Sequence, residues 1–212
     1  MELIIKIALF APPVLLAITL HEVAHGWAAR YLGDPTAASL GRLSLNPIKH
    51  IDPVGTVIVP AVLFVMSGFM FGWAKPVPVD MQRLNDPKRD MALVAAAGPA
   101  SNFVMAFLWA LVIKAGFMTE SDVVRMVLVE MGKVGVGINL VLMVLNLIPI
   151  PPLDGGRVLS GVLPDRLSTV LAKIEPFGMF IIFGLLAMGL LGLFLQGPLS
   201  FFQTFIIKSV GL

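Results

Sequence analysis

The sequence predicts an all-α polytopic membrane protein with about four to six transmembrane or re-entrant helices and a short β-hairpin-like loop. Composition is the first reason. Apolar residues make up 58% of the 212-residue chain and charged residues 13%, where a soluble domain normally carries about 25% charge. With a mean hydropathy of +0.93, the chain cannot cover a water-facing surface. The second reason is that its apolar residues gather into runs near the roughly 20 residues that a spanning helix needs, parted by stretches rich in Gly, Pro and charge. A net charge of +2 is too small to suggest nucleic-acid binding, so the basic residues read as topology signals. The chain has no cysteine. Thiolate zinc sites and disulfides are thereby excluded, and any metal must be held by histidine and carboxylate.

Taken in order, the first run covers residues 3–31, longer than a signal-peptide core and without an A-x-A-like cleavage site, so it reads as a retained span. A polar stretch follows, in which residues 38–45 alternate loosely and suggest a short strand or hairpin. Residues 54–73 are apolar but interrupted by Pro60, Gly68 and Gly72, and a charged loop with prolines leads to residue 90. Residues 91–116 form a clear span. A short polar loop with Thr119, Glu120, Asp122 and Arg125 precedes a span over 134–150, the last convincing span covers 174–195, and residues 198–212 suggest a partial helix at the interface. There is no internal repeat, so residues 1–212 read as a single integral-membrane domain.

The first span carries the chemistry. His21-Glu22-Val23-Ala24-His25 is an HExxH motif. Four helical residues advance about 6 Å and almost one full turn, so both imidazoles leave one face at a spacing that one zinc ion bridges. Glu22, one residue along, stands beside the metal as the base that takes a proton from activated water. An ionisable group near a bilayer centre costs about 2.5–3.5 kcal/mol on insertion scales. Three within five residues need compensation, which a divalent cation supplies; two of the chain's three histidines fall in this motif.

Catalytic zinc keeps three protein ligands and one open position. Asp154 is the expected third. It follows Asn146 and the prolines 149, 151 and 152, which lack an N–H donor and break the helix. Broken backbone at membrane depth is tolerated only inside protein or beside a water-filled cavity. His50 is an alternative ligand or a hydrogen-bond donor behind one, and its neighbour Asp52 suggests a local pair; Glu130 and Glu175 are explained by solvation at span ends.

If residues 54–73 crossed fully, the HExxH motif and Asp154 would be separated unless they met near the midplane; if the segment dips in and returns, they share one side. Re-entry puts ten basic residues on the catalytic side, from Arg30 to Lys173, against five on the other, Lys6, Lys114, Arg125, Lys133 and Lys208. That positive-inside bias turns the site towards the cytoplasm.

Taken together, HEVAHGWAA, LGRLSLNPIKHIDPVGT, FGWAKPVPV, AAAGPASNF and NLIPIPPLDGGRVL, across residues 20–160, resemble the site-2 protease family of intramembrane zinc metalloproteases, in its compact prokaryotic form without a PDZ or CBS domain. The resemblance implies one zinc ion per chain on His21, His25 and Asp154, Glu22 as general base, and Asn146 as a residue that positions substrate or stabilises the oxyanion. Gly98, Pro99 and Asn102 match a family motif with a packing role near the site. It further implies cleavage of membrane proteins in or near their transmembrane segments, within the bilayer of a prokaryotic cell (inner) membrane. Larger relatives have a helix before the HExxH helix that is not seen here. A metal transporter with a transient His/Asp path, and membrane HExxH proteases of other families, are the competing readings; the convergence of polar residues on one Pro-rich Asp motif argues against both.

Overall fold

The computed structural model describes residues 2–59, 61–62, 65 and 72–212. Helix α1 (Glu2–Tyr31) contains the HExxH motif, and the short α2 (Thr36–Ser39) follows it. A loop collar then holds a 3-10 turn (Pro47–His50), a π-helical turn (Pro53–Ile58) and a second 3-10 turn (Met81–Arg83). The remaining helices are α3 (Pro87–Phe117), α4 (Asp122–Asn146), α5 (Asp154–Val162), α6 (Asp165–Ala187) and α7 (Leu190–Ser209). Helices α1, α3, α4, α6 and α7 are long and apolar enough to cross a bilayer, and the chain is an integral membrane protein. Large side chains left outside the packed interior, such as Phe180, Phe194 and Phe201, belong against lipid.

Local chemistry places the helix ends. The Asp86 carboxylate caps α3 by accepting the Arg89 N–H, with Pro87 at the first helical position. Ser121 caps α4. That helix therefore starts twelve residues before the apolar run begins at 134, and its charged first turns carry a Lys133–Glu130 ion pair. It ends at Asn146 because the prolines beyond it cannot continue the hydrogen-bond ladder.

Three expectations are corrected. The strand-like stretch 38–45 does not pair: it ends α2, turns at Gly41 with φ +63° and runs on without a ladder, and no strand occurs among the described residues. The single span expected over 174–195 is divided by a left-handed residue, Gly189 at φ +72°, where a side chain would be strained. Residues 198–212, expected as a partial interfacial helix, belong mostly to the 20-residue α7.

Helices α3 and α4 pack most extensively, α1 lies across both, and α5 rests on α3. The Asn85 N–H donates to the Leu32 carbonyl at 3.0 Å, so the end of α1 and the start of α3 share one end of the bundle. Lys88 ties α6 to that end, donating to the Leu163 carbonyl and to Asp165 Oδ1 at 2.6 Å each. Helix α7 runs beside α3 in the same direction. Phe103 meets Phe202 and Phe205 at 6.0 and 6.4 Å between centroids, and Lys114 Nζ donates to the Val210 carbonyl at 2.6 Å. Together α6 and α7 thus carry the chain from one end of the bundle to the other.

The expectation that residues 54–73 re-enter falls partly outside the described residues, but the two ends are described. The Trp73 N–H donates to the Gly55 carbonyl at 3.1 Å, and the Lys75 N–H to the His50 carbonyl at 2.9 Å. An unbroken helix of that length would hold its ends about 27 Å apart. Here they touch.

Candidate metal centre

His21 and His25 stand one turn apart on α1, so both rings leave the face that meets α3. The crossing point is Gly98. A Cβ there would lie 2.4 Å from His25 Nε2 and 2.6 Å from His21 Cε1; only a residue without a side chain lets the α3 backbone lie against both rings. Asp154 arrives from the turn after α4 as the first residue of α5.

Three atoms converge. His21 Nε2 and His25 Nε2 are 3.1 Å apart, and Asp154 Oδ2 lies 3.2 Å from the first and 3.4 Å from the second. His21 and Asp154 are 7% and 8% exposed, so the group lies inside the packed helices. Among the described residues these three side chains form a group with metal-ligand geometry.

Proton positions follow from the partners. His25 Nδ1 lies 2.7 Å from the Val94 carbonyl, which only accepts, so Nδ1 carries the proton and donates. His21 Nδ1 donates to Asn102 Oδ1 at 2.6 Å. In the neutral rings both Nε2 atoms then present lone pairs to each other and to Asp154 Oδ2, a buried oxygen with no hydrogen-bond partner. Three lone pairs aimed at one point repel unless a cation lies between them. Tetrahedral zinc with N and O ligands at about 2.0–2.1 Å separates its ligand atoms by about 3.3 Å, and the three observed spacings bracket that value. The donor set fits zinc.

Glu22 is not one of the three converging groups. Its Oε2 accepts the backbone N–H of Val77 at 2.8 Å. Val77 belongs to an extended strap, residues 74–80, in which its neighbours Pro76 and Pro78 have no N–H to offer. The Arg42 guanidinium pins the strap, donating to the carbonyls of Lys49, Lys75 and Pro76 at 2.8, 2.9 and 3.2 Å. Asp34 holds its far end by accepting the Asp80 N–H at 2.7 Å. Burial raises the Asp34 pKa, but donors from Thr36 and Asp80 and the nearby charge of Arg83 outweigh it and hold the carboxyl below its ordinary value.

The other expected residues each have partners of their own. Asn146 ends α4, its Nδ2 donating to the Leu142 carbonyl at 3.0 Å in its own helix, which leaves a second amide N–H and the oxygen. His50 is buried and donates from Nε2 to the Ser44 carbonyl at 2.8 Å; it is not in the metal-ligand group. The pair expected between His50 and Asp52 does not form, because Asp52 accepts the N–H groups of Val54 and Gly55 instead. Asn102 does more than pack: it bonds His21. Sequence reasoning missed Val94, Val77 and Asn139. Only Asn139 carried a signal, as an amide in the middle of an apolar span. The other two act through backbone atoms, which the residue type does not announce.

Comparison with known proteins gives a consistent picture. The profile of Peptidase family M50 matches residues 113–189. A Bacillus subtilis protein named "Putative zinc metalloprotease YwhC" is 35% identical over 196 residues, covering 88% of this chain and 83% of the relative. Two mycobacterial proteins carry the corresponding name with Rip2. The one from Mycolicibacterium smegmatis is 30% identical over 172 residues, 81% of this chain and 64% of the relative. That from Mycobacterium tuberculosis H37Rv is 30% identical over 165 residues, 78% and 61%. The chain thus spans a little under two thirds of the mycobacterial relatives. No solved structure matches.

Proposed function

The chain belongs to peptidase family M50, the site-2 protease family of zinc metalloproteases, and from that premise we propose that it is an intramembrane endopeptidase hydrolysing peptide bonds in or near transmembrane segments of membrane proteins. The observation that carries the reading is the convergence of His21 Nε2, His25 Nε2 and Asp154 Oδ2 at 3.1–3.4 Å on a helix that is itself apolar enough to span lipid. One zinc ion per chain is held by these three side chains, within the single membrane domain of residues 1–212. When bound, it supplies Lewis acidity, which acidifies water and polarises a carbonyl.

The chain's own residues do the rest. Glu22 takes the proton of the attacking water and returns it to the departing amine, so that the peptide bond breaks to a carboxylate and an amine. One of its carboxylate oxygens is steadied by the Val77 N–H. Asn146, with an amide N–H not engaged by Leu142, serves the oxyanion or the substrate backbone. The meeting of residues 55 and 73 supports re-entry of the segment between them. With ten basic residues against five, the catalytic end faces the cytoplasm of a prokaryotic cell membrane.

The test uses the full chain in detergent with a reporter transmembrane substrate. The wild type is expected to hold one zinc and cleave. Glu22→Ala should keep zinc and lose cleavage, and Asp154→Ala should lose both. A wild type without zinc, or an Asp154→Ala variant that still cleaves, would remove the reading.

A further inference from the structure

We infer that Asn139, acting through Asn102, fixes the ring proton of His21 on Nδ1 and so aims the Nε2 lone pair at the metal position, which makes both asparagines positioning residues. The inference rests on the proposed metal centre. It concerns an amide of α4 that stands two hydrogen bonds away from the His21 ring.

Asn102 lies on α3 one turn past Gly98, and Asn139 lies on α4; both are 0% exposed. The amide nitrogen of Asn102 faces two acceptors, the Ala17 carbonyl at 3.2 Å and Asn139 Oδ1 at 2.9 Å. Its oxygen is thereby turned to His21 Nδ1, 2.6 Å away. The opposite orientation would set oxygen against oxygen at both contacts. It would also offer an N–H to His21 Nδ1, forcing that atom to accept and driving the ring proton to Nε2, into the space between the ligands.

What fixes Asn139 is again backbone. Its Nδ2 donates to the Gly135 carbonyl at 2.9 Å, an atom with no proton to give, so its oxygen must face Asn102. The result is one directed chain, from His21 Nδ1–H to Asn102, from Asn102 to Asn139, and from Asn139 to Gly135. It crosses three helices, begins at a ligand and ends on a carbonyl that cannot change role. Both asparagines are fully buried, so the sense of the chain is set by the protein groups around them. Partners of this kind orient metal-bound imidazoles, and their loss typically weakens metal binding about 10–100-fold.

The test measures zinc affinity of the solubilised full chain by chelator competition, together with 15N spectra of the metal-free protein labelled at its three histidines. Asn102→Leu should weaken zinc about 10–100-fold, Asn139→Leu should weaken it by a smaller factor because the Ala17 carbonyl still orients Asn102, and both should spread the His21 proton over both ring nitrogens. Because the residues act in series, the double variant should bind no more weakly than Asn102→Leu alone. Asn139→Asp, whose neutral acid reproduces the C=O towards Asn102 and a donor towards Gly135, should stay close to wild type even if the leucine variant fails to fold. Wild-type affinity in a folded Asn139→Leu protein, losses that multiply in the double variant, or an Asn139→Asp protein with displaced His21 signals would each overturn the relay. A wild type that binds no zinc would instead remove the metal centre itself, so the two failures are distinguishable.

Discussion

Helices α1, α3 and α4 and the pair α6–α7 draw on the same apolar residues, yet they are held in different ways. The inner three bury Thr19, His21, Asn102 and Asn139 among small side chains, whereas the buried residues of α6 and α7 are Gly178, Ile182, Leu191 and Ile206. Lipid tails are as apolar as leucine, so hydrophobicity does not drive spanning helices together; close packing and hydrogen bonds across helices do. The inner helices have both. Helix α6 packs chiefly on its chain neighbours α5 and α7, and lipid can cover the rest of its surface without penalty. The polar residues of the site are therefore also what gathers the bundle around it.

The sharpest way to break this contrast is to add one methyl group in each region. Gly98→Ala puts a Cβ against both histidine rings, and we expect loss of zinc and of cleavage by at least a hundredfold. Gly184→Ala and Gly192→Ala on α6 and α7 meet nothing within 4 Å and should leave both unchanged. Zinc analysis of the three purified variants decides it; a zinc-replete Gly98→Ala would show that the inner helices are not tightly fitted.

The path of the outer pair gives a second all-or-none result. With α6 tied to Lys88 and α7 ending beside Lys114, the pair makes one net crossing. Tags at the two chain ends should then be accessible from the same face, opposite to a cysteine placed at residue 42. A C-terminal tag on the face of residue 42 would mean that α6 and α7 cross separately.

A smaller effect is expected at the strap. Val77→Pro removes the N–H held by Glu22 while keeping the extended backbone. Hydrogen bonds to charged groups contribute about 1.5–3 kcal/mol, so kcat should fall roughly 10–100-fold with zinc retained. Unchanged turnover would make the strap a bystander.

The smallest effect belongs to the collar, outside both helix groups. The folded-state pKa of Asp34 is held below its ordinary value. Its contribution to stability is therefore present above the ordinary carboxylate pKa and is lost as pH falls through the lowered one. Asp34→Asn should lower the unfolding midpoint by about 2–4 °C near neutrality, and the gap to wild type should narrow below about pH 4. A gap that stays constant with pH would assign the effect to shape rather than charge.

Much of this was legible in the residues themselves. The span expected over 91–116 matches α3 to within four residues, because a long apolar run with a Pro-led start and a capping Asp86 is a local signal. The stretch 174–195 misled for a related reason: hydropathy sums are blind to one left-handed glycine, and Gly189 sits inside an unbroken apolar run. Likewise 38–45 alternated like a strand, but among the described residues no partner strand completes a ladder, and α2 takes its first residues.

The sequence by itself determined that the chain lives in lipid, that the two HExxH imidazoles share a helix face, and that the backbone breaks before Asp154. Those properties depend on composition and on geometry within a few residues. Tertiary structure alone decided that Asp154 meets the imidazoles, that Val77 covers Glu22, and that Asn139 reaches His21 through Asn102. The contacts that do this join residues 37 to 133 positions apart, and three backbone carbonyls, of Ala17, Val94 and Gly135, and one backbone N–H set their sense. A helix pattern says which face a side chain leaves, but not which lone pair waits across the gap, because that depends on where separate helices cross.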